Sequence, residues 1–457
     1  MKLWMVVIGA LLVPVGCRND GDSSGDKSHL GDAGDADDAD DLEIVEEAEF
    51  TVDVSLASDD NPAAPGTVGI VTFSIDDVDE TAGEIHFGLT ADYGMTAPVD
   101  MAASDHRTLL LGMKPNREYH FEIVVTDGSK QYRSGDDVLE TGSASNLVNT
   151  TSSINDEERH EKGFILSTQL QGTPSIDDYE LASMVFILDG EGDVVWWYQS
   201  RIGRTSRAHL SHDGKAIWLV PDRGNFDSAA VERVSLDTLE SRLYEDVGAS
   251  HDGVPVADGV LAYIDYGEED CGSVFELDTD GEAVEIFESG DFLTDMAPPE
   301  CHMNAIQYYE DEGLYSVSDR DNDIFVINRN GEMQWRLSES VDNDLYGAQQ
   351  HGHQLLENSI LLFTNIGGEL GTSAVIEYSL PDGEEIFRYE SGVTSIFLGD
   401  VQRLPGGNTL VTYSIAGQIH EVDAGGEKVM QVTGSGGAFG YARWYASLYG
   451  GFAFAPS

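Results

Sequence analysis

The stretch VFILDGEGDVVWWY, beginning at Val185, is the first of six copies of one hairpin. It returns as VERVSLDTLESRLY from Val231, VFELDTDGEAVEIF from Val274 and IFVINRNGEMQWRL from Ile324. Two more copies follow, VIEYSLPDGEEIFRY from Val375 and IHEVDAGGEKVMQV from Ile419. Each reads as a strand, a polar Asp/Gly turn and a second strand. The starts lie 46, 43, 50, 51 and 44 residues apart. Upstream of five copies stands another strand pair around a turn: LSHDGKAIWLV, VPVADGVLAYI, YYEDEGLYSVS, QLLENSILLFT and RLPGGNTLVTY. Four strands in about 45 residues make the period and content of a propeller blade. The chain is therefore expected to be all-β, with a six-bladed β-propeller over residues 161–457. GFILSTQL (163–170) should complete one blade with strands from the C-terminus. An array of β-sandwiches would explain the strand count but not the regular period.

Working toward the N-terminus, residues 143–160 (SASNLVNTTSSINDEERH) read as a linker. Residues 49–142 carry short alternating runs broken by Gly, Pro and Asp, which predicts a small β-sandwich of about seven strands. Within it, LLLGMKPNREYHFEIVVTD resembles the end of an Ig/fibronectin type III-like domain. The resemblance rests on Leu111, Pro115 and the alternating Tyr119, Phe121 and Ile123. Nothing in this module looks catalytic.

Residues 18–48 are rich in Asp, Gly, Ser and Ala and nearly free of apolar side chains. Such a segment cannot offset its chain entropy and is expected to be a disordered acidic tether. Before it, MKLWMVVIGALLVPVGC (1–17) has one Lys, an apolar run too short for a mature membrane span, and a small residue before Cys17. These are signal-peptide proportions, and Gly16-Cys17 resembles the end of a bacterial lipobox. Pro14 stands where that motif usually has Leu. The expectation is an exported lipoprotein, lipidated at Cys17 and held at the outer membrane or cell surface. An ordinary signal with an incidental Cys is the alternative. Of three Cys, Cys271 and Cys301 then remain. In an exported chain two Cys suggest one disulfide, the alternative being two buried free thiols.

The net charge limits the partners. With 84 Asp+Glu against 24 Lys+Arg, the 457-residue chain carries −60. The stretch 18–49 holds 13 acids and two bases, so −50 remains on residues 50–457. Phosphate affinity comes from Lys and Arg, which excludes a nucleic-acid binder. Docking to anionic lipid is excluded on the same ground, leaving the lipid anchor as the membrane contact. A carboxylate-rich surface with only seven lysines fits adaptation to salt, or equally an acidic secreted protein in ordinary salt.

Aligning the repeats by their first turn brings three histidines into register. His251 lies seven residues before Asp258, His351 seven before Asn358, and His302 nine before Asp311. The same position holds Gly399 before Gly406 and Ser206 before Asp213. The first strand of each blade lines the channel, so these imidazoles should converge at one mouth. Arg320, at the end of the next strand in one of those blades, should reach the same space. Three imidazoles and a guanidinium without carboxylate ligands suit an anion, with a His₃ metal site as the alternative.

At these residues the chain resembles the bacterial arylsulfotransferase family that dispenses with a nucleotide donor. The matching motifs are SHDG at His251, HMN at His302–Asn304, SDR ending at Arg320 and QHGHQLL at Gln350–Leu356. LLFTN at Leu361–Asn365, QRLPGGNTLVTYSIAGQIHEVD from Gln402 and YARWYASLY from Tyr441 follow in order. SHDG has one His where relatives often show two. The resemblance implies a six-bladed propeller that moves a sulfuryl group from an aryl sulfate ester to a phenol through a sulfated histidine. It places the nucleophile at His351, supported by His251, His302 and Arg320. His353, expected on the same strand face as His351, ranks second, and Asn304 is expected to orient a ring or the sulfate. No cofactor or metal is implied, and no P-loop GxxxxGK[ST] is present. A surface-tethered propeller that binds a ligand without chemistry is the competing reading.

Overall fold

The computed structural model describes residues 43–45, 49–76, 78, 81–128, 130–170, 183–222, 229–256, 259–266, 272–289, 302–320, 323–339, 349–435 and 437–450. These lie in one compact unit, Glu43–Ser457. The expected signal peptide, Cys17, most of the tether, Cys271 and Cys301 lie outside the described residues. Among the described residues no helix is long and apolar enough to cross a membrane.

The N-terminal module is a sandwich. One sheet contains Glu43–Val45, Lys130–Arg133, Glu118–Asp127, Ala82–Gly88 and Met95–Pro98, with Asp137–Glu140 also on Glu118–Asp127. The other contains Phe50–Leu56, Gly69–Ile75 and Thr108–Leu110. Alternation in Glu118–Asp127 sends Tyr119, Phe121, Ile123 and Val125 into a shared core with Val71, Phe73 and Leu110. Nine strands form where about seven were expected, and one of them shortens the tether. Glu43–Val45 pairs parallel with Lys130–Arg133, because Ile44 and Val45 are β-branched residues at the end of the acidic run.

Among the described residues six antiparallel units follow, five of four strands and one of five, each matching one sequence repeat. Their innermost strands are Arg443–Tyr445 (blade 1), Thr205–Leu210 (blade 2), Ala249–Val256 (blade 3), Met303–Tyr309 (blade 4), Gln350–Leu355 (blade 5) and Asp400–Arg403 (blade 6). Second strands such as Ala216–Pro221 and Ser359–Thr364 are buried throughout, since blades cover both of their faces. Outer strands such as Ala283–Glu288 are largely exposed on one side.

The ring closes as the repeats predict. Phe164–Leu170 becomes the second strand of blade 1 and pairs with the C-terminal Arg443–Tyr445. A second closure was not foreseen. Thr150–Ile154, inside the expected linker, adds a fifth strand to blade 6 against Lys428–Gly434. Its TTSSI sequence has one apolar residue, and its burial alternates only between partial and exposed, so hydrophobic pattern could not mark it.

The channel is filled rather than open. The Arg207 guanidinium donates to both oxygens of Asp252 (2.7 and 3.1 Å) and to Asp400 (2.6 Å), joining blades 2, 3 and 6 across the axis. Its flat face lies 4.1 Å from the centre of the Tyr441 ring. Arg443 of blade 1 donates to Gln307 of blade 4 at 2.7 Å. All three members of the Arg–Asp network are 1% exposed or less. The sandwich docks on blades 1 and 2. There Lys114 pairs with Asp189, Glu191 and Asp193, and the Tyr449 hydroxyl accepts from the Leu111 N–H at 2.7 Å.

Candidate active site

The register position holding the histidines is a place where the innermost strands bulge. In blade 3 the pairing jumps from Ala249↔Asp265 to Gly253↔Tyr263, leaving Ser250, His251 and Asp252 opposite Ile264 alone. In blade 4 it jumps from Met303↔Asp319 to Ala305↔Ser318, with Asn304 as the extra residue. In blade 5 it jumps from Gln350↔Thr364 to His353↔Leu362, so His351 and Gly352 face Phe363. Blade 2 slips at the same level around Ser206. A bulge re-aims a side chain and interrupts the alternation of faces. At His251 the backbone is left-handed, φ 67°, a strained state for a residue with a Cβ. It is pinned there by its N–H to the Asp222 carbonyl (3.0 Å) and by the Ser206 hydroxyl to its own carbonyl (2.6 Å).

The three imidazoles do gather. The His251 and His302 rings stand perpendicular with centroids 4.7 Å apart, and Tyr266 packs against both at 5.2 and 5.8 Å. The Tyr266 hydroxyl donates to the Met303 carbonyl at 2.5 Å, which fixes that ring. Ser250 Oγ meets His251 Nδ1 at 2.8 Å. His302 is held through its backbone. Its N–H donates to Asp319 Oδ1 and its carbonyl accepts from the Arg320 N–H, each at 2.9 Å. That last bond sets Arg320 beside His302. A carboxylate is thus close to the cluster, contrary to the sequence expectation, but it serves a peptide N–H. Among the described residues no group of three or more His, Cys, Asp or Glu is arranged to hold a metal.

His351 is buried and joins this group. Burial, then the adjoining His302, and also the Arg320 charge push its pKa down to about 3. Its Nδ1 lies 2.6 Å from Asn365 Oδ1. The Asn365 amide nitrogen donates to the carbonyls of Ser395 (2.5 Å) and Leu398 (2.8 Å). Both amide hydrogens are thereby committed, so Oδ1 must be the atom facing His351. An amide oxygen only accepts, so Nδ1 carries the ring proton. Nε2 of a neutral His351 then holds its lone pair.

His353 stands apart from this group. His353 does not share a face with His351, because the bulge between Gln350 and His353 turns it away. Its Nε2 meets the Ser316 hydroxyl at 2.7 Å. Burial, followed by the axial charges of Arg443 and Arg207, lowers its pKa to about 3. It belongs to the channel. Asn304 donates one of its two amide hydrogens to the Gln350 carbonyl (2.8 Å), and its buried Oδ1 has no hydrogen-bond partner among the described residues. That bond ties Asn304 to the strand that carries His351, as does Gln350, whose amide donates to the Asp319 carbonyl at 2.7 Å. Asn365, Gln350 and Tyr266 were not singled out from sequence. The only hint was the polar Asn365 ending the apolar run LLFTN.

Two models of the arylsulfotransferase (ASST) family match the chain, one over residues 149–351 and one over 285–435. They support placing the chain in that family, and both include the end of blade 3, blade 4 and the start of blade 5. No curated protein matches. Among solved structures, a protein of unknown function from Bacteroides caccae is 14% identical, covering 63% of this chain and 100% of its own, with TM-score 0.44. TolB from Acinetobacter baumannii is 12% identical over 73% of this chain and 80% of its own, TM-score 0.44. Virginiamycin B lyase from Staphylococcus aureus is 10% identical over 84% and 99%, TM-score 0.36.

Proposed function

We propose that this protein transfers a sulfuryl group from an aryl sulfate ester to a phenol by a two-step exchange through His351. The observation that carries the reading is the Asn365 contact, which commits Nδ1–H and leaves Nε2 of a neutral imidazole as the nucleophile. In the first step the Nε2 lone pair forms an N–S bond to the donor. The S–O(aryl) bond breaks, and the leaving aryl oxygen keeps the electron pair and takes a proton from a protonated neighbouring imidazole. The sulfated ring is cationic, and Asn365 Oδ1 accepts from its Nδ1–H. In the second step His251 or His302 takes the proton of the acceptor phenol. The phenolate attacks sulfur, and the N–S electron pair returns to Nε2.

Negative charge resides on the three peripheral sulfuryl oxygens throughout. Donors held in place by the fold lower the barrier by stabilising it. Arg320 offers a planar fork for two of those oxygens. The signal-like N-terminus extends the proposal to an exported enzyme tethered through lipid on Cys17. The test is transfer from 4-nitrophenyl sulfate to phenol. Turnover is expected in the native protein, and His351→Ala should lose about three orders of magnitude or more in kcat. A fully active His351→Ala protein would refute the assignment.

A further inference from the structure

Eight large apolar side chains are exposed among the described residues, and three of them stand beside Asn365. Ile366 (41% exposed) follows Asn365 directly, while Ile396 (52%) and Phe397 (48%) lie between the two carbonyls that Asn365 grips. The other five are scattered over the sandwich, the adjoining connection and the outermost blade strands. Isolated exposed apolar residues of that kind need no explanation, but three gathered on one residue's hydrogen-bond frame do.

The loop beneath this cluster is rigid. The Ser395 N–H donates to Ser373 Oγ (2.8 Å), and Ser395 Oγ donates to the Phe397 carbonyl (3.0 Å). Leu398, 3% exposed, turns inward with φ 53°. Gly399 has φ 116°, and its carbonyl accepts from the Gly352 N–H at 3.0 Å, next to His351. A Cβ at Gly399 would stand 2.1 Å from the Phe363 ring, so the turn is fixed by close packing. Asn365 therefore holds two things at once, the proton on His351 and a preformed apolar ledge. Pre-ordered apolar surface is what a binding site uses to take a ring at small entropic cost.

We propose that Ile366, Ile396 and Phe397 form the aryl-binding lip of the His351 site, taking the apolar ring shared by the donor ester and the acceptor phenol. The ring's identity rests on the sulfotransfer reading; the lip itself rests on exposure and the Asn365 frame.

The test separates the two halves of a substrate with probes that do not react. 2-Naphthol supplies the ring and inorganic sulfate supplies the anion. Each is titrated against the native protein and against the double variant Ile396→Ser/Phe397→Ser. The double variant should bind 2-naphthol about tenfold more weakly or worse, and sulfate as the native protein does. Unchanged 2-naphthol affinity, or no 2-naphthol binding to the native protein, overturns the lip. Equal loss of both ligands also overturns it, because the variant would then have disturbed the frame. Should the lip bind the ring while His351 never becomes sulfated, the sulfotransfer reading fails alone. Should His351 become sulfated while the double variant binds 2-naphthol normally, the lip fails alone.

Discussion

At His351 one side-chain contact places the ring proton on Nδ1 and leaves the lone pair on Nε2, the nitrogen we propose as nucleophile. Asn365 can face the ring only with its oxygen, because its amide hydrogens serve Ser395 and Leu398. Burial and the neighbouring His302 and Arg320 keep the ring neutral, with a pKa of about 3. The proposed nucleophile therefore stays neutral well below the ordinary imidazole range. Asn365→Asp reverses this, since a carboxylate accepting Nδ1–H stabilises the imidazolium. A raised His351 pKa means that the ring is protonated, and lost as a nucleophile, at higher pH. The acid limb of kcat/KM for the donor should move up by about one pH unit or more. A limb that stays at its native position would contradict the role given to Asn365. The histidine register was legible because repeated sequence units place equivalent residues at equivalent depths. Asn365 was not, because its meaning comes from two carbonyls some thirty residues further along.

At the level of strands, the repeat period exposed the blades but not their irregularities. A strand read as strict alternation puts His351 and His353 on one face. The bulge in Gln350–Leu355 sends them to different surroundings, one to the mouth and one to the axis. Bulges leave no pattern in a single sequence unless a glycine marks them, and Gly352 could equally mark close packing. The extra strand of blade 6 escaped for the opposite reason, being polar apart from Ile154 and paired along its whole length with Lys428–Gly434.

What fixes the inner strands relative to each other is Arg207 between Asp252 and Asp400. Arg207→Leu would leave two buried carboxylates facing each other without a cation. Its cost should be about 3–5 kcal/mol in urea unfolding, the range for removing one partner of a buried pair. A loss below about 1 kcal/mol would show that the network does not hold the ring together.

Across the whole molecule, the charge of −60 sets the context for the site. Most Arg and Lys side chains of the described residues are neutralised by partners, as in the Lys114 and Arg403 pairs. A surface of this sign repels anions, so under the sulfotransfer proposal the site has to draw its anionic ester in against the surrounding field. The two closures, at Arg443–Tyr445 in blade 1 and Thr150–Ile154 in blade 6, tie the ring at both ends of the propeller sequence. They hold the His-bearing strands of blades 3, 4 and 5 in one frame, the frame in which we propose that His351 carries the sulfuryl group. The most direct measurement is mass spectrometry of the protein after brief exposure to 4-nitrophenyl sulfate without acceptor. The account predicts one sulfuryl adduct on the peptide containing His351, discharged when phenol is added and absent from His351→Ala. A folded protein that releases 4-nitrophenol yet shows no adduct on that histidine would contradict it.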